Sequence, residues 1–309
     1  MATLNLPTLR QLRHLVALAE SRHFGRAAQA TFVTQSAFSA SIKELEAILG
    51  APLVDRTHRS VVLTPLGAEV VERGRRLLAE AEALTQLAHA AREPLGGVLR
   101  LGVIPTVSPF LLPRVLPALR RAHPKLKLYL TEDLTARLVD GLHAGRLDVL
   151  LVALPCECGE ADTRVLWRDR FSVALRADDP LARHKTLKPE QLGADRLLLL
   201  QDGHCLREHA LAACRLADPD VALAYRGTSL QTLVQMVDNG LGITLVPQLA
   251  LDAGLLRGTK TVARPLTGSE AWREIGLAWR RGTARRAEFE LLGDTLRDLI
   301  EREHARAQR

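Results

Sequence analysis

The stretch that most restricts how this chain can fold is TFVTQSAFSASIKELEAILGAPLVDR, residues 31–56, together with the two short apolar-striped segments before it. Thr8 and Gln11 form a capping-box pattern that opens a helix with Leu12, Leu15, Val16 and Ala19 on one face, ending near Glu20. A second short helix is expected over about Phe24 to Ala30. Phe32 and Val33 fill a tight connection before Thr34, a suitable N-cap for a third helix. That helix repeats its apolar positions at Phe38, Ile42, Leu45 and Leu49, and Gly50 and Pro52 mark its end. Its outer face carries Gln35, Ser36, Ser39 and Lys43. Two short helices, a brief turn and a third helix with a small polar first turn make a helix-turn-helix, which sets that first turn against base edges in the major groove. The following PLVDRTHRSVVLTPLG reads as a two-stranded wing with Arg56 and Arg59 placed for phosphate. Residues 1–66 hold seven Lys or Arg against four Asp or Glu, and the whole chain carries +7, a balance that suits a polyanion such as DNA.

From Gly67 to Arg92, Val70, Leu77, Leu84 and Ala91 recur every seven residues, with Gly74, Ala81 and Ala88 between them. A large-then-small seam lets two helices approach closely, as in a short coiled coil; the alternative is a helix lying on its own domain. PLGG at 94–97 supplies a hinge. Beyond it, strand and helix signals alternate: VLRLGV, PFLLPRVLPALRRAH, LKLYL, LTARLVDGLHAGR and DVLLVAL. Such alternation argues for a mostly parallel sheet covered by helices. A second set from about Phe171 includes RLLLL, VALAY, LQTLVQMVDNG and ITLVP, and REIGLAW and a helix over about 284–305 close the chain. The pattern by itself gives an α/β fold.

At 309 residues, 47% hydrophobic and 25% charged, the chain can bury two or three cores. Its apolar runs fall short of the roughly 18–20 residues that span a bilayer, and MATLNLPTLRQLRHL lacks a secretory pattern, so a cytoplasmic protein is expected. No G-x-G-x-x-G, Walker loop, G-x-S-x-G elbow or H-E-x-x-H is present to support catalysis on a metabolite, and no enzyme and no cofactor are expected.

Four cysteines are too few for a disulfide scaffold. In GHCLREHALAAC, residues 203–214, Cys205 and Cys214 lie nine apart. On a continuous helix they would be separated by ~13.5 Å of rise and face opposite ways. A disulfide needs Cα atoms within roughly 7 Å, so the pair cannot bridge without unwinding the helix. Two small core residues satisfy this spacing; so does a redox pair whose oxidation forces local refolding. Cys205 falls at a helix N-terminus after QDG, with His204 and Arg207 as potential positive partners. Such surroundings favour a low thiol pKa and peroxide reactivity, while Cys214 resembles a buried resolving thiol. A third reading is metal: Cys156 and Cys158 in PCECGE, with Cys205 and His204, would supply four ligands for zinc or copper if they converged.

RHFGRAAQATFVTQSAFSASIKELEAILGAPLVDRTHRSVVLTPLG resembles, almost without gaps, the reading head of the LysR-type transcriptional regulators. GVIPTVSPFLLP, QDGHCLREHALAAC, YRGTSL and GITLVP look like the hydrogen-peroxide-sensing members of that family, over essentially the whole chain. The resemblance implies a multidomain protein: an all-α winged helix-turn-helix (1–66), a linker helix and hinge (67–96) and an α/β two-lobed periplasmic-binding-protein-like sensor (97–309). Lobe I would hold about 97–169 and 271–309, and lobe II about 170–270. It implies Cys205 as peroxidatic and Cys214 as resolving cysteine, and Thr106, Thr135, His204 and Arg273 as the peroxide pocket. Thr34, Gln35, Ser36, Ser39, Lys43 and Arg56 would meet DNA. Implied partners are promoter DNA, hydrogen peroxide, further copies of the chain in a linker-helix dimer and a tetramer, and RNA polymerase as an additional candidate. Glu208 departs from the pattern, which usually has Asp there, and the chain around 254–272 aligns loosely. Within the same family, a regulator answering to a small metabolite in the inter-lobe cleft is the alternative.

Overall fold

The computed structural model describes residues 5–56, 61–90, 95–214, 226–269 and 271–307, with side chains at 5–55, 61–84, 95–214, 227–269 and 271–302. It divides into two compact units, the first built on Met1–Ala88 and the second on the bulk of the chain from His89 onward.

The first unit opens with α1 (Leu9–Ser21), where Thr8 Oγ1 accepts from the Gln11 backbone and Gln11 Oε1 accepts from the Thr8 backbone, so the capping box is present. After α2 (Phe24–Ala30), Thr34 caps α3 (Gln35–Leu49), and Gly50 ends it in the left-handed conformation, φ 68°. Leu15, Leu18, Phe38, Ile42, Leu45 and Leu53 are fully buried together, with Phe24 edge-on to Phe38. Glu46 Oε1 accepts from the backbones of Leu53 and Val54 at 2.8 and 3.2 Å, which fastens α3 to the wing strands β1 (Val54–Arg56) and β2 (Val61–Leu63). Arg59 lies outside the described residues.

The long helix α4 (Pro65–Ala90) starts two residues before the expected Gly67, because Thr64 Oγ1 accepts from the Gly67 backbone and Pro65 occupies the first turn, where its missing N–H costs nothing. The heptad expectation needs correction at its N-terminal end. Val71 is buried and Val70 packs against the reading head, and a Cβ added at Gly74 would meet Leu12 of α1 at 3.5 Å. The first heptad thus serves the head's own core, whereas Leu77 and Leu84 remain 56% and 67% exposed. The side chain of Ala88 and all of Ala91 lie outside the described residues.

The second unit runs β3 (Val98–Val103), α5 (Ser108–Ala122), β4 (Lys127–Glu132), α6 (Thr135–His143), β5 (Val149–Leu154) and the long β6 (Ala161–Arg176). Then follow β7 (Leu199–Leu200), α7 (Cys205–Ala213), β8 (Arg226–Gly227), α8 (Leu230–Asp238), β9 (Thr244–Pro247), α9 (Gln248–Asp252), β10 (Thr261–Pro265), β11 (Trp272–Arg280) and α10 (Arg286–Ala307). The expected VALAY strand falls outside the described residues. Among the described residues one seven-stranded sheet has the order β10-β6-β11-β5-β3-β4, with β9 also on β6. The expectation of a mostly parallel sheet is corrected: β4 and β5 flank β3 in parallel, but β11 runs antiparallel to both β5 and β6, and β9 and β10 run antiparallel to β6. The reason is β6 itself. Its first part, up to Arg170, pairs with β11, and its last part, from Phe171, pairs with β9 and β10, so one strand threads both lobes.

Val149, Leu150, Leu151 and Val152 are fully buried, as strands covered on both faces require. Arg285 fastens the start of α10 to this layer, donating to Glu288 Oε2 at 2.7 Å and to the Val98 carbonyl at 2.9 Å and pairing with Asp148 at 3.2 Å.

Candidate functional site

Cys205 is the first residue of α7. Gln201, Asp202 and Gly203 turn the chain into the helix, and Gly203 takes φ 91°, a conformation that a side chain would strain. His204 is the N-cap residue, without a side-chain cap bond. Ile104, Pro105, Thr106, Leu134, Thr135, Gly203, His204 and Cys205 line one tight pocket. Thr106 comes from the loop after β3, and Thr135 is the first residue of α6. The Thr135 hydroxyl is buried without a hydrogen bond of ordinary geometry among the described residues; its electrostatic partner is the Cys205 thiol.

Arg273, on β11, is fully buried. Its Nη1 donates to Thr106 Oγ1 at 2.8 Å and its Nη2 to the Thr106 carbonyl at 3.1 Å. Nε and Nη2 also donate to Asp169 Oδ2, at 3.1 and 3.0 Å. Asp169 was missed by sequence reasoning. It sits between Arg168 and Arg170 in β6, a charged triplet that reads as a solvated strand, and the one available signal was its place in an otherwise alternating strand pattern. Its second oxygen accepts from the Leu249 backbone at 3.0 Å, which ties the Arg273 pair to the start of α9. The sequence likewise gave no hint of His209, whose Nδ1 donates to the Cys205 carbonyl at 2.7 Å.

The charge around Cys205 corrects the low-pKa expectation. Burial pushes its thiol above the ordinary range; the Arg273 guanidinium, the Thr135 hydroxyl and the Ala153 backbone pull it back, and the exposed Glu208 carboxylate acts in the same sense as burial. The two positive partners expected from sequence do not fill that role. Burial holds the His204 imidazole below its usual value, which keeps it neutral at neutral pH, and Arg207 is paired with Asp202 at 3.1 Å. Arg273, brought from a strand 68 residues away in sequence, is the positive group that acts on the thiol.

Cys214 caps the other end of α7 and is buried, its thiol pushed up to about 11 by burial alone. The helix between the two cysteines is continuous, so the pair stands about 13.5 Å apart along the axis. Among the described residues no group of three or more His, Cys, Asp or Glu side chains could hold a metal ion, and Cys156 and Cys158 are joined to each other as a disulfide. The four-ligand arrangement is therefore not formed.

On the reading head, Gln35, Ser36 and Lys43 are exposed on α3 and Ser39 is half-buried. The Thr34 hydroxyl caps the helix, accepting from the Ala37 backbone at 3.3 Å and sharing a hydrogen bond with Ser36 at 3.1 Å. The Arg56 side chain lies outside the described residues.

A capped three-helix head with a wing, followed by a two-lobed α/β domain, is the build of a one-component DNA-binding regulator, and the chain belongs to the LysR family of bacterial helix-turn-helix regulators. Residues 9–68 match the family model described as bacterial regulatory helix-turn-helix protein, lysR family, and residues 92–301 match that of the LysR substrate binding domain. Among curated relatives, the chain is 39% identical to the HTH-type transcriptional regulator EstR of Acinetobacter baylyi, covering 94% of this chain and 97% of that one. It is 40% identical to the hydrogen peroxide-inducible genes activator of Dickeya chrysanthemi, covering 94% and 95%. A solved structure of a cysteine-to-serine variant of OxyR from Corynebacterium glutamicum, bound to hydrogen peroxide, is similar with a TM-score of 0.66 and 33% identity, over 98% of this chain and 95% of that one.

Proposed function

We propose that this chain is a transcriptional regulator that senses hydrogen peroxide by reversible formation of a Cys205–Cys214 disulfide and thereby controls oxidative-stress genes. The observation that carries the reading is the meeting of Thr106, Thr135, His204 and Cys205 in one pocket, with Arg273 held on Thr106 at 2.8 Å. Relatives named for peroxide-induced genes and for peroxide-bound OxyR support it.

The chemistry follows from the groups. The Cys205 thiolate attacks one oxygen of peroxide, the O–O bond breaks, and the departing hydroxide takes up a proton to leave as water. Thr135 supplies a hydroxyl to orient a molecule as small as peroxide, and the Arg273 charge favours both the thiolate and the charge developing on the leaving oxygen. Cys214 then attacks the sulfenic sulfur and a second water leaves. Two thiols and one peroxide become one disulfide and two waters. Because α7 keeps the sulfurs on opposite sides of a continuous helix, the second step requires α7 to unwind, and that refolding is the signal.

In this reading residues 1–66 read promoter DNA through Thr34, Gln35, Ser36, Ser39, Lys43 and Arg56, 67–96 pair two chains, and 97–309 sense. The assembly is a tetramer that works in the cytoplasm on the genome and contacts RNA polymerase there. The protein is a regulator rather than an enzyme, and no helix among the described residues is long and apolar enough to cross a membrane.

The deciding experiment maps the thiol state of each cysteine before and after substoichiometric peroxide, with promoter footprints taken on the same samples. The wild type gains the Cys205–Cys214 disulfide and its footprint shifts; Cys205→Ser does neither. An equal footprint shift in Cys205→Ser overturns the proposal.

One observation favours a second reading. A cavity of about 460 Å³ is lined by Leu154, Pro155, His209, Trp272, Arg273 and Glu274, among others, which is room for a small organic effector. A thermal shift with a small organic acid, together with cysteine variants that respond as wild type does, would favour it.

A further inference from the structure

Cys156 and Cys158 take no part in the site described above. They lie in the short connection between β5 and β6, joined as a disulfide with their Cα atoms 5.2 Å apart. That separation lies within the range of about 4.4–6.8 Å that disulfides adopt, so the backbone is set for the bond. An extended strand would hold two such residues about 6.6 Å apart. The disulfide therefore spans a connection that is tucked rather than extended.

Three features separate this bond from a structural staple. Cross-links stabilise chiefly by closing long loops, and this one spans two residues, so the chain-entropy gain is small. Cys158 is buried and Cys156 is partly exposed, so one sulfur of the pair is open to attack while the other is shielded. The third feature is position. Pro155, next to Cys156, shares the 460 Å³ cavity with Glu208, His209 and Ala212 on α7, the helix that carries Cys205 and Cys214. The residue before the pair therefore borders the same cavity as that helix face.

We propose that Cys156–Cys158 is a second thiol–disulfide site, one that exchanges with small thiols and their disulfides and reports thiol balance separately from the Cys205 site. A small thiolate attacks Cys156 Sγ, the bond to Cys158 breaks, and Cys158 leaves as a thiolate that takes up a proton. A second small thiolate attacks the outer sulfur of the mixed disulfide and releases Cys156. Overall, two small thiols become one disulfide, and the chain gains two electrons and two protons as two thiols. The reverse exchange reoxidises the pair. A DNA-binding regulator works in a compartment rich in such thiols, where a disulfide of this kind is labile rather than structural.

The test equilibrates the folded full-length chain in mixtures of reduced and oxidised glutathione, followed by acid quench, alkylation and mass mapping of the peptide that contains both cysteines. It is run on the wild type and on the Cys205→Ser/Cys214→Ser double variant, so that a failure of the peroxide reading leaves this result untouched. The peptide is expected to pass from fully alkylated to fully disulfide-bonded across the series, equally in both proteins. Cys158→Ser should accumulate a glutathione adduct on Cys156, and Cys156→Ser should accumulate far less on Cys158. Thiols that stay alkylatable in every mixture overturn the proposal, as does a disulfide that resists excess reduced glutathione in the folded chain. Equal adducts on the two single variants also overturn it.

Discussion

At the scale of single residues, the Arg273–Asp169 pair dominates, with both side chains excluded from solvent, at 0% and 1% exposure. Breaking such a pair by removing one partner leaves an uncompensated buried charge, which costs about 3–5 kcal/mol. Asp169→Ala should therefore destabilise the regulatory domain by about that amount in urea unfolding, and a change below about 1 kcal/mol would show that Asp169 does not compensate Arg273. Cys214 makes a prediction of opposite character. Its thiol stays protonated in the fold from an ordinary value of 9.0 up to about 11, whereas the unfolded chain ionises near the ordinary value. The contribution is fully present below pH 9.0 and is lost as pH rises towards about 11, amounting to about 2–3 kcal/mol for a shift of this size. Reduced wild-type protein should lose stability more steeply than Cys214→Ala over that window; parallel pH profiles would show that the buried thiol is not the cause. Neither residue's behaviour was legible in the chain. Asp169 hides in a charged triplet, and Cys214 in HALAACRLA reads as buried without indicating how strongly burial holds its proton.

Among the elements, what local sequence could specify was read correctly. The Thr8–Gln11 box, the Thr34 cap and the Gly50 stop are each completed within four residues of the chain, and the structure forms all three. α4 shows the limit of that reading. Gly74 and Val70 look like coiled-coil seam positions in a heptad count, but they pack on α1 and the reading-head core, because a seven-residue repeat does not say which neighbour fills it. Gly67 is the sharper case. A Cβ there would stand 2.0 Å from the Leu53 carbonyl oxygen, which already accepts from the Thr64 backbone at 3.0 Å. Gly67→Ala must push α4 away from the wing, and overpacking of this kind costs roughly 1–3 kcal/mol. The variant should lower the melting temperature of the reading head and weaken DNA binding; unchanged melting would mean that the helix start yields without strain. The sheet makes the same point. Alternating strand and helix signals announced the elements, but the antiparallel β6–β11 pairing depends on a sixteen-residue strand whose two halves choose different partners.

For the whole molecule, Leu77 and Leu84 expose 56% and 67% of their surfaces on the outer face of α4, seven residues apart. Large apolar residues at that spacing suit a helix of a second copy. Pairing through this face accounts for a dimer; the tetramer proposed above should scatter light as about four times the 33.9 kDa chain mass, and a monomer at micromolar concentration would rule it out. The sequence by itself determined the helix-turn-helix, the caps that delimit it, and the placing of one cysteine at each end of a single helix, because these rest on hydrogen bonds and periodicities between near neighbours. Only the tertiary structure decided that His204 is neutral, that Arg207 is taken by Asp202, and that Arg273 acts on Cys205 while burial raises its thiol. Proton affinity sums desolvation and charge over every group packed around a side chain, and here those groups come from β5, α6, α7 and β11, segments that no local pattern brings together.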